Sequence, residues 1–379
     1  MKRFVIFLLL MFTGVSIFAQ IDLQRVAMVN LTRPEPITVR QLRLECEKLA
    51  WRELAGRLGR IPTSAQVTQE VQGFNIDMRR QVLDAMINER LALQAAERDR
   101  ITLTENELNQ HINELRNQVA QMYGRQPTEA EFAQAIREET GMELPAFRED
   151  MRRQMLTQKY LMITKEALFD SLQPPTDTEI AAEFNINRAQ FTQADTIRFH
   201  MIQVPYGPDA ASRTRARTLA QQLVTEIGTD PVRFDSVVAR ANAEARTNPN
   251  PSFTAGDAGY LNLNAQTRQV AGNDFISVAF DPNLRQGQVS RLIEGVQGYQ
   301  IIKITENHPM RNLGLDDVIY DRAIIEQTGG ALITVRQYIG QSMFVQRQQE
   351  LLSRATRELV LELRAGNSFE IIEANLTNW

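Results

Sequence analysis

Near the C-terminal end, Leu352, Ala355, Leu359 and Leu363 recur at spacings of four and three, and Gly366 follows where a left-handed cap stops a helix. A single amphipathic helix gains too little from its own hydrogen bonds to stand alone in water, so this stripe needs a partner surface. The nearest sequence of the same character is the helical stretch from about residue 38 to 172, on the far side of a strand-rich region. The chain is therefore expected to build one helical body from both of its ends, with an independent domain inserted between them.

The N-terminal part begins with two short strands in residues 26–39, VAMVNLTRPEPITV, around a proline-containing turn. Thr38 with Gln41 fits a capping box and predicts a helix start there. From Asp77 to Arg98, Met78, Val82, Met86 and Leu93, with Leu83, Ile87 and Leu91, keep the three-and-four spacing of a long helix. Three later segments share one local design: LTENEL at 103–108, PTEAEF at 127–132 and PTDTEI at 175–180. In each, a Thr oxygen can accept from orphan amides, an acid three residues on can reach back, and an apolar residue follows at the fourth helical position. These are helix starts, not a functional repeat.

Pro174 and Pro175 in SLQPPTDTE end the helical run and mark a linker. Beyond one more helix the pattern changes. TIRFHMIQV, GQVSRLI and GYQIIKI read as strands, and DAASRTRARTLAQQLVTEI, PVRFDSVVARANAEA and NDFISVAF as helices. RTNPNPSFTAGDAGY reads as a loop. This is a sheet with helices between its strands, an α+β domain of about 110 residues. From Met310 the chain is expected to return to helix.

Residues 1–19, MKRFVIFLLLMFTGVSIFA, have the three parts of a secretory signal: Lys2 and Arg3, the apolar run Phe4 to Phe12, and Ala19 as cleavage position. The run is short for a membrane span. Loss of this segment leaves 46 acidic residues and two fewer than the 42 basic ones, an acidic balance that argues against nucleic-acid binding. Cys46 is the one cysteine; it lies at helical spacing in LRLECEKLAW and reads as a small buried apolar residue. His111, His200 and His308 stand far apart, without HExxH or paired-cysteine spacing, and no G-x-S-x-G elbow occurs, which disfavours a metallo- or serine hydrolase. No metal or cofactor is expected.

Several pieces of the chain resemble one family. VLDAMINERLALQAAERDRITLTENEL and LPAFREDMRRQMLTQKYL are similar to the N-terminal chaperone domain of the SurA and PrsA group of exported chaperones. FHMIQV, AGDAGY, DFISVAFDPNLRQGQVS and GYQIIKI follow, in order, the pattern of that group's parvulin-type prolyl isomerase domain. The resemblance implies a signal peptide over 1–19, a helical chaperone domain over 20–175, a linker helix over 176–193, a parvulin-like domain with a four-stranded antiparallel sheet over 194–308, and a C-terminal helical segment over 309–379 packed on the N-terminal domain.

Residue by residue, the resemblance puts His200 at the first of two catalytic histidines and Gln300 at the second, and Phe275 and Phe280 in the pocket for the prolyl ring. Ala258 and Ala271 stand where the family has a pocket leucine and methionine. Smaller apolar side chains grip a prolyl ring less well, at about 25 cal/mol for each Å² of apolar surface left unburied, so isomerase activity is expected to be weak or lost; an active isomerase for X–Pro bonds is the alternative. Alternation along each strand and the family's strand order are expected to bring His200 and Gln300 together. The implied function is a periplasmic chaperone for unfolded or nascent exported proteins, outer-membrane proteins foremost, with no stable membrane insertion once the signal is removed. Met78, Met86, Met151 and Met155, on flexible unbranched side chains suited to varied apolar partners, are its candidate peptide surface.

Overall fold

The computed structural model describes residues 22–248 and 250–377; the expected signal segment lies outside them. The elements run β1 (Arg25–Val29), β2 (Glu35–Thr38), α1 (Val39–Leu58), α2 (Ser64–Gln72), α3 (Ile76–Arg98), α4 (Glu105–Tyr123), α5 (Glu129–Thr140), α6 (Leu144–Thr164), α7 (Glu166–Asp170), α8 (Asp177–Ile186), β3 (Thr192–Gln193) and β4 (Thr196–Pro205). They continue with α9 (Ala210–Ile227), α10 (Pro231–Ala245), β5 (Thr254–Asn262), α11 (Ala265–Ala271), α12 (Asn273–Ala279), β6 (Ile293–Glu294), β7 (Gly298–His308), β8 (Arg311–Asn312), α13 (Arg322–Gln327), α14 (Val335–Arg364), β9 (Phe369–Ile371) and α15 (Glu373–Leu376). Among the described residues two compact units result, one built from the stretch up to residue 172 together with that from 347 onward, the other from the stretch between them. The fold class is borne out: a mostly helical body made from both ends of the chain, and an α+β domain inserted between them in sequence.

In the first unit, Thr38, Thr63, Thr104 and Thr128 start four of the helices. Each of these threonines accepts from the amide three residues on, and the Gln or Glu there accepts from the threonine amide in return. The reciprocal pair satisfies two donors that a helix start otherwise leaves open. The apolar residue just after the acid in α4 and α5, Leu108 and Phe132, is fully buried. The C-terminal stripe then completes this body. Ala355, Leu359 and Leu363 join Leu83, Ile87, Leu91 and Cys46 in one core, β9 pairs antiparallel with β1, and Leu376 is buried beside them. Arg364 pairs with Asp84 and also donates to Asn88 Oδ1 at 2.8 Å. Leu352 departs from the expected stripe and remains exposed.

Cys46 is fully buried within this core, and burial pushes its thiol up to about 12. The reactive form is the thiolate, so native protein at pH 8 is expected to react with a disulfide reagent at a small fraction of the rate of urea-unfolded protein; equal rates would contradict this burial. Leu359→Ala should remove about 2–5 kcal/mol from the first unit, seen as an earlier urea transition of that unit, although residue 359 lies far from residues 22–172 in sequence.

In the second unit the sheet order is β5-β4-β7-β6, antiparallel throughout. Its two faces are packed by different elements. Ile202, Val204, Tyr299 and Ile301 face α9 and α10, through Leu223, Ile227, Phe234 and Val237. Phe199, Met201, Ile302 and Ile304 face α12, through Phe275 and Ile276. A further cluster joins α8 to the start of α14 through Ile180, Phe184, Val335 and Ile339. The capping box at Thr176 and Glu179 starts α8.

Three local expectations are corrected. The loop expected over 246–260 ends at Phe253, and GDAG lies inside β5. Gly and Ala are poor strand formers, but pairing with β4 imposes the strand, and Gly259 at φ 73° absorbs the irregular register there while donating to Asp257 Oδ1 at 2.9 Å. Of the strand expected over 287–293, Ile293 enters β6 and Val289 forms a single bridge to Lys303. Between them the Ser290 hydroxyl accepts from Ile302 N at 3.0 Å, taking the place of a ladder carbonyl. The return to helix expected from Met310 is delayed to Val335, apart from the short α13.

Candidate functional site

The helices of the first unit leave two clefts that meet. One, of about 840 Å³, is lined by Leu44, Trp51, Val67, Met86 and Met142 among others. The other, of about 830 Å³, is lined by Leu49, Met78, Val82, Met142, Phe147 and Met151 among others. They share Glu45, Lys48, Met86, Glu89, Thr140 and Met142, and so form one groove with two lobes between α1, α3, α5 and α6.

Its walls follow from helical spacing. Leu44, Lys48 and Trp51 lie four and three apart on α1, and Met78, Val82 and Met86 lie four apart on α3, so each set shares one face. The indole of Trp51 is seated against Gly141, which ends α5 at φ 71°; a Cβ there would meet the ring at 2.7 Å. A side chain at 141 would thus be strained twice, by backbone and by contact.

A chain of ion pairs crosses the shared line. Lys48 Nζ bonds Glu45 at 2.8 Å and Asp150 at 2.9 Å, and Arg153 bonds Asp150 at 2.6 Å and Glu89 at 3.0 Å. Burial works against the Lys48 ammonium, yet its bonds to Glu45 and Asp150 hold its pKa above the ordinary value. These charges are paired with one another, and methionine and other apolar side chains share the groove walls with them. Of the expected surface methionines, Met78, Met86 and Met151 line the groove. Met155 packs instead against the Leu108 and Phe132 core, alongside Met151. Trp51, Lys48, Met142, Phe147 and Arg153 escape the sequence reading, although the spacing of Leu44, Lys48 and Trp51 signals their shared face.

In the second unit the expected catalytic pair is not assembled. The β4–β7 register sets His200 opposite Lys303 and Gln300 opposite Gln203. Directly paired residues share a face, so His200 lies with Ile202 and Gln300 with Met201 and Ile302, on opposite faces of the sheet. Alternation along each strand is as expected; what alternation does not give is register. His200 Nδ1 and Gln300 Oε1 are both buried without a hydrogen-bond partner among the described residues. Phe275 is buried against Phe199, ring centroids 5.6 Å apart, and Phe280, Ala258 and Ala271 pack around the same core. Ala258 and Ala271 also line small surface clefts beside β5.

One polar network of this unit is centred on Arg198. It bonds Asp257 at 2.6 Å and Glu306 at 3.2 Å, Tyr260 Oη donates to Glu306 at 2.9 Å, and His308 Nε2 lies 3.0 Å from Glu306 and stacks on Tyr320. The Arg198 guanidinium holds the Asp257 carboxyl below the usual carboxylate range. A carboxyl with a lowered native pKa stabilises the fold above its unfolded value and loses that stabilisation as pH falls through the native one. Both side chains are 38% exposed, so the pair is worth at most about 1 kcal/mol. Arg198→Met should therefore lower urea stability by that order at pH 7, and the difference should vanish on acidification below the native Asp257 value. A difference that persists in acid would point to packing instead.

Among the described residues, no helix is long and apolar enough to cross a membrane, and no group of three or more His, Cys, Asp or Glu could hold a metal ion.

Comparison with known proteins gives two family matches. Residues 2–161 match a SurA-like N-terminal domain, and residues 175–319 a PPIC-type PPIASE domain. The chain is similar to the Chaperone SurA of Chromohalobacter salexigens, 26% identical over 249 residues, covering 64% of this chain and 51% of that protein. It is also similar to the Chaperone SurA of Nitrosococcus oceani, 26% identical over 313 residues, covering 81% and 63%. The chain thus spans between half and two thirds of the length of these curated relatives. Among solved structures, one of two structurally related SurA-like chaperones of Campylobacter jejuni aligns over 92% of this chain and 100% of its own, at 14% identity and a TM-score of 0.35. The peptidylprolyl isomerase PrsA of Bacillus anthracis aligns over 73% and 96%, at 14% identity and a TM-score of 0.21.

Proposed function

We propose, for a chain that joins a SurA-like N-terminal domain to a PPIC-type isomerase domain, the function of a periplasmic chaperone whose first unit holds apolar segments of unfolded exported proteins. The observation that carries this reading is the two-lobed groove walled by Met78, Met86, Met142 and Met151. Methionine thioethers adapt to side chains of different shape at little cost, which suits a site that must accept many sequences weakly. The ion-paired belt of Lys48, Arg153, Glu45, Asp150 and Glu89 supplies polar groups to an extended main chain. The clients proposed are envelope proteins, with outer-membrane proteins foremost, met after export through the segment 1–19.

In this reading the second unit contributes little or no isomerase activity. Rotation about an X–Pro bond needs a pocket that grips the ring and favours the twisted amide over the planar one. His200 and Gln300 face opposite sides of the sheet, and Phe275 is spent on the core. Proline-limited refolding is expected to proceed within about twofold of its uncatalysed rate of tens to hundreds of seconds. A large acceleration lost in Phe275→Ala would favour the active-isomerase alternative.

The test of the groove is aggregation of a urea-unfolded outer-membrane protein after dilution. The chain should slow it at equimolar concentration. Met78→Glu with Met151→Glu should abolish most of that effect, since each carboxylate set against an apolar client costs about 1–3 kcal/mol, while Phe275→Ala should leave it intact. Full suppression by the double variant would overturn the assignment to the groove.

A further inference from the structure

The charges that line the first unit's groove do not balance. In the belt shared by the two lobes, the three carboxylates of Glu45, Glu89 and Asp150 meet two cations, Lys48 and Arg153. Arg90 also lines the first lobe, but its guanidinium is bonded to Glu35 at 2.6 Å. Glu143 and Glu149 line this lobe with cations of their own, Arg137 at 2.8 Å and Arg152 at 3.5 Å.

Glu47 stands outside this pairing. It lines the first lobe and is partly buried, and among the described residues it makes no hydrogen bond or ion pair. Arg43, one turn earlier on α1, bonds Asp22 at 2.9 Å. Arg52 is the other groove-lining charge without an ion pair among the described residues, but it is exposed and lines the second lobe alone. The two lobes thus differ in the sign of their unpaired charge. A carboxylate partly removed from water and given no donor keeps a desolvation cost that an arriving cation would offset.

The neighbours of Glu47 suit such a cation. Leu44, Glu47 and Trp51 lie three and four apart on α1, so the carboxylate sits between an apolar side chain and an indole on one face of the helix. All three line the first lobe. The apolar stem of a lysine or arginine can lie along Leu44 and Trp51 while its charged head meets the carboxylate and the aromatic ring, both of which attract it. A client carboxylate at the same place would meet like charge, with no free cation in the lobe. We infer that the first lobe selects for sign: it takes the basic residue of a client segment, a lysine or arginine flanked by apolar side chains, with Glu47 beside Trp51 as the specificity-determining pair. This rests on the proposal that the groove holds apolar segments, and adds to it a preferred charge and the residue that sets it.

The test is calorimetric titration of the full chain, at low ionic strength, with three blocked peptides, Gly-Leu-Phe-Xaa-Leu-Phe-Gly, in which Xaa is Lys, Gln or Glu. The Lys peptide should bind about three- to tenfold tighter than the Gln peptide, the range expected of one partly exposed ion pair with a cation–ring contact, and the Glu peptide no tighter than the Gln peptide. Glu47→Gln should bring the Lys-to-Gln ratio to about one. Glu53→Gln removes the same charge from the same helix outside both lobes, and should leave the ratio as it is in the natural chain. Equal affinity for the Lys and Gln peptides, or a ratio that survives Glu47→Gln, would overturn the inference and leave the groove reading standing. A ratio lost equally in Glu53→Gln would assign the preference to the general acidity of the protein and would overturn the inference too. Binding of none of the three peptides would overturn the groove reading and this inference with it.

Discussion

The return of the C-terminal helix and β9 to the N-terminal body is the interaction on which the first unit depends. Leu359, Leu363 and Ala355 fill one side of a core whose other side is Leu83, Ile87 and Leu91, and β9 gives β1 its second neighbour. Without them, β1 would present an open edge and α3 a bare apolar stripe, both liabilities for aggregation. With them, α3 is fixed in the core, and Met78, Val82 and Met86, which pack at the edge of that same core, reach the groove. The ends of the chain thus hold in place the helix that supplies part of the groove wall.

Much of this is legible in the amino-acid sequence, because it is local. Thr38, Thr104, Thr128 and Thr176 each announce a helix through a cap three residues wide, and each makes that cap. The stripe at Ala355, Leu359 and Leu363 demands a partner, and the split body follows from it. Non-local information is not legible in the same way. β5 is a strand because β4 pairs with it, despite Gly256, Ala258 and Gly259, which by themselves read as a turn. The register of β4 against β7 shifts by one residue at Thr305, since Arg198 pairs with Glu306 and Phe199 with Ile304. No alternation pattern reveals such a bulge. The groove is half legible: Met78, Met86 and Met151 stand out as residue types, whereas Trp51, Lys48 and Phe147 acquire meaning only when α1 and α6 face each other.

The contrast between the two units is chemical. A catalyst of bond rotation needs groups placed to within fractions of an ångström, and the second unit has its candidate groups on two faces of a sheet. A holder of unfolded chains needs area and softness, and the first unit has methionine-bearing walls beside ion-paired charges in one groove. The parvulin-like sheet retains a well-packed core on both faces, with Phe234 and Ile202 on one and Phe275 and Ile302 on the other. That core is adequate for a scaffold whether or not it turns over substrate.

The most direct measurement is a hydrogen-exchange footprint of the full chain with and without a saturating, unfolded outer-membrane protein fragment. New protection is expected in α1, α3 and α6, centred on Trp51, Met86 and Met151. Protection confined to β4, β5 and α12, with α1, α3 and α6 unchanged, would contradict it.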